Sequence, residues 1–181
     1  GQRNELIYES SLSSMIDKKT RFTIFCDMDG VLCDFDAQFD HYFGVAPREY
    51  SNEKGPEIFK QAVDSIGEKF WSEMPLFPGA MTLWEYITPY SPIILSSPST
   101  FKFAKIGKLK WIKTNLSPQP RDIIFEQTRH KHNVFSEYDA KKSILIDDYY
   151  GNIIPWKENG GIGIRHTDVE NTIRILQKFR L

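Results

Sequence analysis

Two carboxylates two residues apart, Asp27 and Asp29, follow the apolar run Phe22-Thr23-Ile24-Phe25-Cys26. A second acidic pair, Asp147-Asp148, follows another apolar run, Ile144-Leu145-Ile146. Runs of this kind read as buried strands, and a strand presents its last side chains at the carboxyl edge of the sheet, where α/β proteins bind ligands. Gly30 allows a sharp turn just after the first pair. One carboxylate of such a pair can attack while the other donates or accepts a proton, and a divalent cation neutralises the charge they share. A third run, Pro92-Ile93-Ile94-Leu95, ends in Ser96-Ser97 and supplies hydroxyls. In a parallel sheet these three ends converge on one edge, where the acids repel one another unless a cation sits between them. Oxygen-only ligands suit Mg²⁺, which keeps waters and shares coordination with a substrate phosphate. Lys108 and Lys131 are the candidate lysines for the remaining phosphate oxygens, and Arg129 either touches phosphate or pairs with an acid.

The elements that must position these residues can be read from periodicity. Residues 21–26 form the first strand. Segment 35–75 is aromatic and charged, punctuated by Gly44, Pro47, Gly55, Pro56 and Gly67, with Phe59, Ala62, Val63 and Ile66 at helical spacing. It reads as a small helical insertion after the first strand. Pro78-Gly79-Ala80 opens a helix carrying Leu83, Trp84 and Ile87 on one face, and Pro89 stops it. Strands are expected at 92–95, 122–125, 143–146 and 161–164, with a Lys-rich helix from about Thr100 to Asn115 and a closing amphipathic helix through Val169, Ile173 and Leu176. Strands alternating with helices predict an α/β fold: a parallel sheet with helices on both faces. The expected organisation is an N-terminal arm at 1–20, a core formed by 21–34 and 76–181, and the insertion at 35–75.

The bulk properties narrow the function. With 181 residues, 40% hydrophobic and 26% charged, the chain is long enough for one domain with a sizeable core. A formal net charge of −1 supplies no global field for nucleic acid or anionic lipid, so stable nucleic-acid binding is not expected. No apolar stretch approaches the ~20 residues that span a bilayer. The two cysteines, Cys26 and Cys33, read as core-lining thiols in a reducing compartment. With no charged-then-apolar leader pattern, the expectation is a cytoplasmic protein. His41, His130, His132 and His166 lack partners at metal-ligand spacing, which leaves carboxylates as the candidate ligands.

The ordered set Asp27-Met28-Asp29-Gly30-Val31-Leu32-Cys33-Asp34-Phe35, Pro75-Leu76-Phe77-Pro78-Gly79-Ala80, Ser96-Ser97-Pro98, Thr128-Arg129-His130-Lys131 and Leu145-Ile146-Asp147-Asp148 resembles the haloacid dehalogenase superfamily of phosphotransferases. Within it the chain is most similar to the 5′(3′)-deoxyribonucleotidases and their bacterial and phage relatives. The resemblance implies a Rossmann-like core with a small helical cap after the first strand, and a Mg²⁺-dependent phosphomonoesterase acting on a small phosphoester, a (deoxy)nucleoside monophosphate. It implies Asp27 as the nucleophile that becomes an aspartyl-phosphate, and Asp29 as the acid and then the base. Mg²⁺ would bind the Asp27 side chain, the Asp29 backbone carbonyl and a carboxylate of the Asp147-Asp148 pair. Ser96 would contact phosphate, with Ser97 beside it, and Lys131 would balance the charge of nucleophile and phosphate. Phe35, Phe43 and Trp71 are the aromatic residues available to stack on a substrate ring. Two alternatives use the same residues: a phosphatase of nucleic-acid ends or another small phosphoester, favoured by the basic helix around 102–113, and a phosphate-binding module without turnover.

Overall fold

The computed structural model describes residues 4–7 and 21–181, so all but residues 4–7 of the expected arm lies outside the described residues. Five parallel strands, β1 (Thr23–Cys26), β2 (Ile93–Ser96), β3 (Asp122–Phe125), β4 (Ser143–Asp147) and β5 (Ile162–Arg165), form one sheet in the order β3-β2-β1-β4-β5. β1 is central, with Cys26 opposite Ile94 on β2 and Ile146 on β4. All carboxyl ends therefore lie along one edge, and the segments after β1, β2 and β4 are neighbours there.

Period-2 alternation divides the strand residues between two apolar clusters, as side chains on opposite faces of a pleated sheet must. Ile24, Cys26, Ile94, Ile144 and Ile146 belong to the larger cluster, with Leu83, Trp84, Trp111 and Leu176. Phe25, Ile93, Leu95 and Leu145 belong to the smaller one, with Val134, Ile153 and Trp156. The first face is covered by helices at Ala80–Ile87, Ala104–Asn115 and Val169–Lys178; the second by the helix Tyr150–Glu158 and a 3-10 segment, Lys131–Ser136. Among the described residues no helix is long and apolar enough to cross a membrane.

Segment 35–75 contains four helices: α1 (Phe35–Phe43), α2 (Pro47–Lys54), α3 (Pro56–Ile66) and α4 (Glu68–Ser72). The later helices are α5 (Ala80–Ile87), α6 (Ala104–Asn115), α7 (Tyr150–Glu158) and α8 (Val169–Lys178). Asp34 caps α1 by accepting from the Ala37 amide, while α2 and α3 both begin at proline, whose missing N–H costs nothing in a first turn. Phe39, Val63, Phe70 and Trp71 from this segment join the larger apolar cluster. Its last helix, α4, is seated on α6: a Cβ at Gly107 would lie 2.3 Å from that of Trp71 and 2.9 Å from the Glu68 carbonyl oxygen. The Trp111 indole N–H donates to the Met74 carbonyl at 2.8 Å, and the Gln38 amide to the Phe70 carbonyl at 2.9 Å.

Element bounds depart from the periodic reading where side chains or loops take up backbone groups. The Lys-rich helix begins at Ala104 rather than about Thr100, because the Lys102 amide donates to Asp64 and the Phe101 amide to the Ser99 hydroxyl. β5 begins at Ile162 rather than Gly161, whose amide closes the end of α7 on the Trp156 carbonyl. Cys26 and Cys33 are both buried free thiols.

Candidate active site

The β1 ladder continues one residue past the strand, with the Asp27 amide donating to the Ile146 carbonyl at 2.9 Å. The chain then coils on itself: the amides of Val31, Leu32 and Cys33 all turn toward the Met28 carbonyl, and the Gly30 amide donates to the Cys33 carbonyl. This compact turn sets Asp27 and Asp29 apart in surroundings. Asp27 is 7% exposed and accepts from Lys131 Nζ at 2.9 Å. Asp29 lies nearer solvent; Lys108 Nζ meets its Oδ2 at 2.9 Å and the Cys33 thiol donates to its Oδ1 at 3.4 Å.

Each lysine is buried and surrounded by acceptors. Lys131 Nζ donates to Asp27 Oδ1, to the Leu95 carbonyl at 2.9 Å and to Asp147 Oδ2 at 2.7 Å. Lys108 Nζ meets Asp29 and donates to the Ser96 hydroxyl and the Ser97 carbonyl, both at 3.0 Å. Burial alone would lower the proton affinity of Lys131, but Asp27 and Asp147 outweigh it and hold its pKa above the ordinary value.

Asp27, Asp147 and Asp148 each offer an oxygen within 4.8 Å of the others, a hard-oxygen set that can hold a divalent cation. The acids strain against one another without it. Burial, then Asp147, push the Asp27 carboxyl well above its usual range, with Lys131 opposing. Burial, then Asp147 and Asp29, push Asp148 from 3.8 to about 6. An excess of buried carboxylate over ammonium is the situation a divalent cation relieves, so these residues fit one.

The sign of the pH effect follows from these shifts. A carboxyl whose folded pKa is raised contributes stability below its ordinary pKa and loses it as pH rises through the folded value. Without divalent cation, the melting temperature should therefore fall between pH 5 and pH 7.5, and saturating Mg²⁺ should remove most of that fall. Cation affinity, measured calorimetrically, should weaken steeply below about pH 6, the value to which Asp148 is pushed. A melting temperature flat across this range without cation counts against the cluster.

Gly30 permits the close approach of the first and last loops. Its φ is +79°, and a Cβ there would lie 2.2 Å from Asp148 Oδ2. Gly30→Ala must displace the Asp148 carboxylate as well as strain the backbone by about 1–3 kcal/mol. The expected result is at least a tenfold loss of Mg²⁺ affinity together with a lowered melting temperature; unchanged affinity would show that Asp148 is not needed for the cation.

A cavity of about 500 Å³ opens over these groups. Asp27, Asp29, Asp148, Lys108 and Ser97 line its chemical end, while Phe35, Phe59, Trp71, Phe77 and Phe101 line much of the rest. The Phe35 ring lies 5.5 Å from that of Trp71 and 6.3 Å from that of Phe101. The sequence candidates thus divide. Asp27, Asp29, Asp148, Lys108, Ser97, Phe35 and Trp71 are brought to one cavity. Lys131 and Asp147 stand behind it, 1% and 0% exposed.

Three sequence candidates are placed away from the cavity. Ser96 is fully buried and its hydroxyl accepts from Lys108 instead of facing the cavity, which Ser97 lines. Arg129 does not line the cavity and pairs with no acid among the described residues; its guanidinium donates to the Tyr149 hydroxyl at 2.7 Å. Phe43 packs on Phe39, with ring centroids 4.5 Å apart, and does not line the cavity.

Two residues that sequence reasoning passed over hold the site together. Asn152, in the first turn of α7, donates to Asp147 Oδ2 at 3.1 Å and accepts from the Arg129 amide at 2.8 Å. Thr128 shares a hydrogen bond of 2.9 Å with the Ser97 hydroxyl, joining the loops after β2 and β3. A usable signal for Asn152 was its place five residues after Asp147, at the start of the next helix.

No protein-family model matches the sequence, and no curated protein sequence does. Solved structures do match. A dehalogenase in an intermediate complex superposes with a TM-score of 0.56 at 12% identity over 80% of this chain and 84% of that one. A haloacid dehalogenase-like hydrolase from Streptococcus pneumoniae gives 0.55 at 17% identity over 86% and 91%. A mutant haloacid dehalogenase-family enzyme from Bacteroides thetaiotaomicron, in complex with magnesium and inorganic phosphate, gives 0.51 at 14% over 81% and 94%. The fold is that of the haloacid dehalogenase-like hydrolases.

Proposed function

We propose that the protein is a Mg²⁺-dependent phosphomonoesterase that hydrolyses (deoxy)nucleoside monophosphates through an aspartyl-phosphate. The observation that carries this reading is the division of labour between two carboxylates at one strand end. Asp27 is buried and tied to Lys131, Asp29 is nearer solvent and tied to Lys108, and both open into one cavity with aromatic walls. A structure of similar fold that holds magnesium and inorganic phosphate supports the metal and phosphate parts of this reading.

Asp27 and Asp148 would hold the cation from the cavity side, with Asp147 behind them committed to Lys131, Asn152 and the Tyr149 amide. When bound, the cation supplies charge neutralisation to the carboxylates and to the phosphoryl oxygens. The Asp27 oxygen not held by Lys131 attacks phosphorus as the ester P–O bond breaks. Asp29 gives its proton to the departing alkoxide. An arriving phosphate dianion competes with Asp29 for the Lys108 ammonium, which frees Asp29 to carry that proton. In the second step Asp29 takes a proton from water, the hydroxide adds to phosphorus, and Asp27 leaves as carboxylate. Ser97 and Lys108 hold phosphoryl oxygens, so that most of the acceleration comes from positioning and preset charge.

Segment 35–75 serves as the cap, its Phe35, Phe59 and Trp71 excluding water and receiving the planar part of the leaving group. The buried thiols of Cys26 and Cys33 suit the reducing cytoplasm. Phosphate release from a panel of ribo- and deoxyribonucleoside 5′- and 3′-monophosphates, with and without Mg²⁺, tests the reading. Release that requires Mg²⁺ and exceeds that from glycerol phosphate by at least about tenfold in kcat/KM is expected. Equal rates on both would remove the nucleotide assignment.

A further inference from the structure

The cavity carries more acid than the chemistry uses. Among the described residues five carboxylates line it, from Asp27, Asp29, Asp34, Asp36 and Asp148, against the single ammonium of Lys108. Asp27 and Asp148 belong to the cation cluster, and Asp29 is paired with Lys108. Asp34 and Asp36 remain. Among the described residues neither forms an ion pair.

Their positions are fixed by local structure. Asp34 is the N-cap of α1, held through the Ala37 amide at 2.9 Å, and Asp36 stands in the first turn of that helix. They flank Phe35, whose ring belongs to the aromatic wall with Phe59, Trp71 and Phe101. Both carboxylates line the cavity that Phe35 lines, Asp34 half-buried and Asp36 on its solvent-exposed side. Burial, then Asp34 and Asp29, push the Asp36 carboxyl above its ordinary value, so negative potential already reaches it. Aromatic faces reinforce that preference, since their quadrupoles attract cations. Trp71 of this wall is 2% exposed, and among the described residues its buried indole N–H has no acceptor.

We infer that Asp34 and Asp36 select substrates by the charge of the leaving group: the site takes phosphomonoesters of ring-bearing alcohols that are neutral or cationic and rejects those carrying a second anion. The inference rests on the phosphomonoesterase reading and adds to it which esters are turned over. It excludes nucleoside diphosphates, bisphosphates and phosphorylated nucleic-acid ends as good substrates, because each brings further phosphate charge against these carboxylates.

The test uses three aryl phosphates of similar size, bearing a para aminomethyl, hydroxymethyl or carboxymethyl group, each assayed for phosphate release with Mg²⁺ at pH 7. In the unaltered protein the carboxymethyl ester should have a kcat/KM at least about tenfold below that of the hydroxymethyl ester, the deficit residing in KM. Asp36→Asn should shrink that ratio by about fivefold, and Asp36→Lys should invert the order of the cationic and anionic esters. Moving from 50 to 500 mM salt should also shrink the ratio in the unaltered protein by screening. Ratios within twofold for all three esters, or the same ratio in Asp36→Lys as in the unaltered protein, overturn the charge selection while leaving the phosphomonoesterase intact. No release from these esters or from nucleoside monophosphates overturns both.

Discussion

Asp27→Asn abolishes phosphate release from every ester, whereas Asp29→Asn spares the first chemical step on esters with good leaving groups. The difference follows from what each carboxylate is asked to do. An amide at position 27 cannot form the acyl phosphate, so no choice of substrate rescues it; a fall of at least about 10⁴-fold in kcat is expected. Asp29 acts on protons, a contribution of about 10²–10⁴-fold. Para-nitrophenolate leaves without a proton, so Asp29→Asn should still be phosphorylated by para-nitrophenyl phosphate, giving a burst of nitrophenol stoichiometric with enzyme. The phosphoenzyme then persists, because the water that would cleave it has lost its base. Intact-mass measurement after acid quench would find one added phosphoryl group on Asp29→Asn and none on Asp27→Asn. Equal inactivity of both variants toward para-nitrophenyl phosphate, with no mass added to either, would refute the assigned roles.

Much of this arrangement is legible in the chain because it rests on local rules. The apolar runs before Asp27, Ser96 and Asp147 have the length and β-branched content of buried strands, and the carboxyl-edge rule then brings their ends together. Alternation along β1 also separates Ile24 and Cys26 from Phe25 on the two faces, as period 2 demands.

What stayed hidden depends on contacts across the chain. Ser96 and Ser97 are equivalent by type, but the register of β2 buries one and turns the other to the cavity. Lys108 sits on a helix crowded with lysines at 102, 105, 110 and 113, and only the seating of α6 against α4 shows that it alone among these lines the cavity. Asp34 stands in the first motif and Asp36 two residues beyond it, and only the cavity that both line together with Phe35 shows what their carboxylates face. Arg129 resembles a phosphate ligand by composition, yet its φ of +74° and its bond to Tyr149 direct it elsewhere.

Lys131→Met is expected to cost about 3–5 kcal/mol of stability at pH 8, in the absence of divalent cation, and much less at pH 5. Among the described residues Lys131 is the only cation bonded to both Asp27 and Asp147, and it also satisfies the Leu95 carbonyl. Methionine fills comparable volume, so the loss is electrostatic rather than a cavity: two buried carboxylates are left facing each other with no counter-charge. The folded pKa of Asp27, already raised, must then move further up. By the sign of that shift, stability is retained where Asp27 can be protonated and is lost as pH rises through its raised value. For a domain of this size the deficit corresponds to a fall of roughly 10 °C in melting temperature at pH 8. Mg²⁺ should recover part of it, because the cation supplies the charge the ammonium took away, and should do so at lower concentration in the variant if Lys131 and the cation compete for Asp27. Scanning calorimetry at pH 5 and pH 8, with and without Mg²⁺, reads all four conditions. A deficit of the same size at both pH values would mean that Lys131 contributes packing alone, and the charge balance on which the nucleophile depends would have to be sought in another residue.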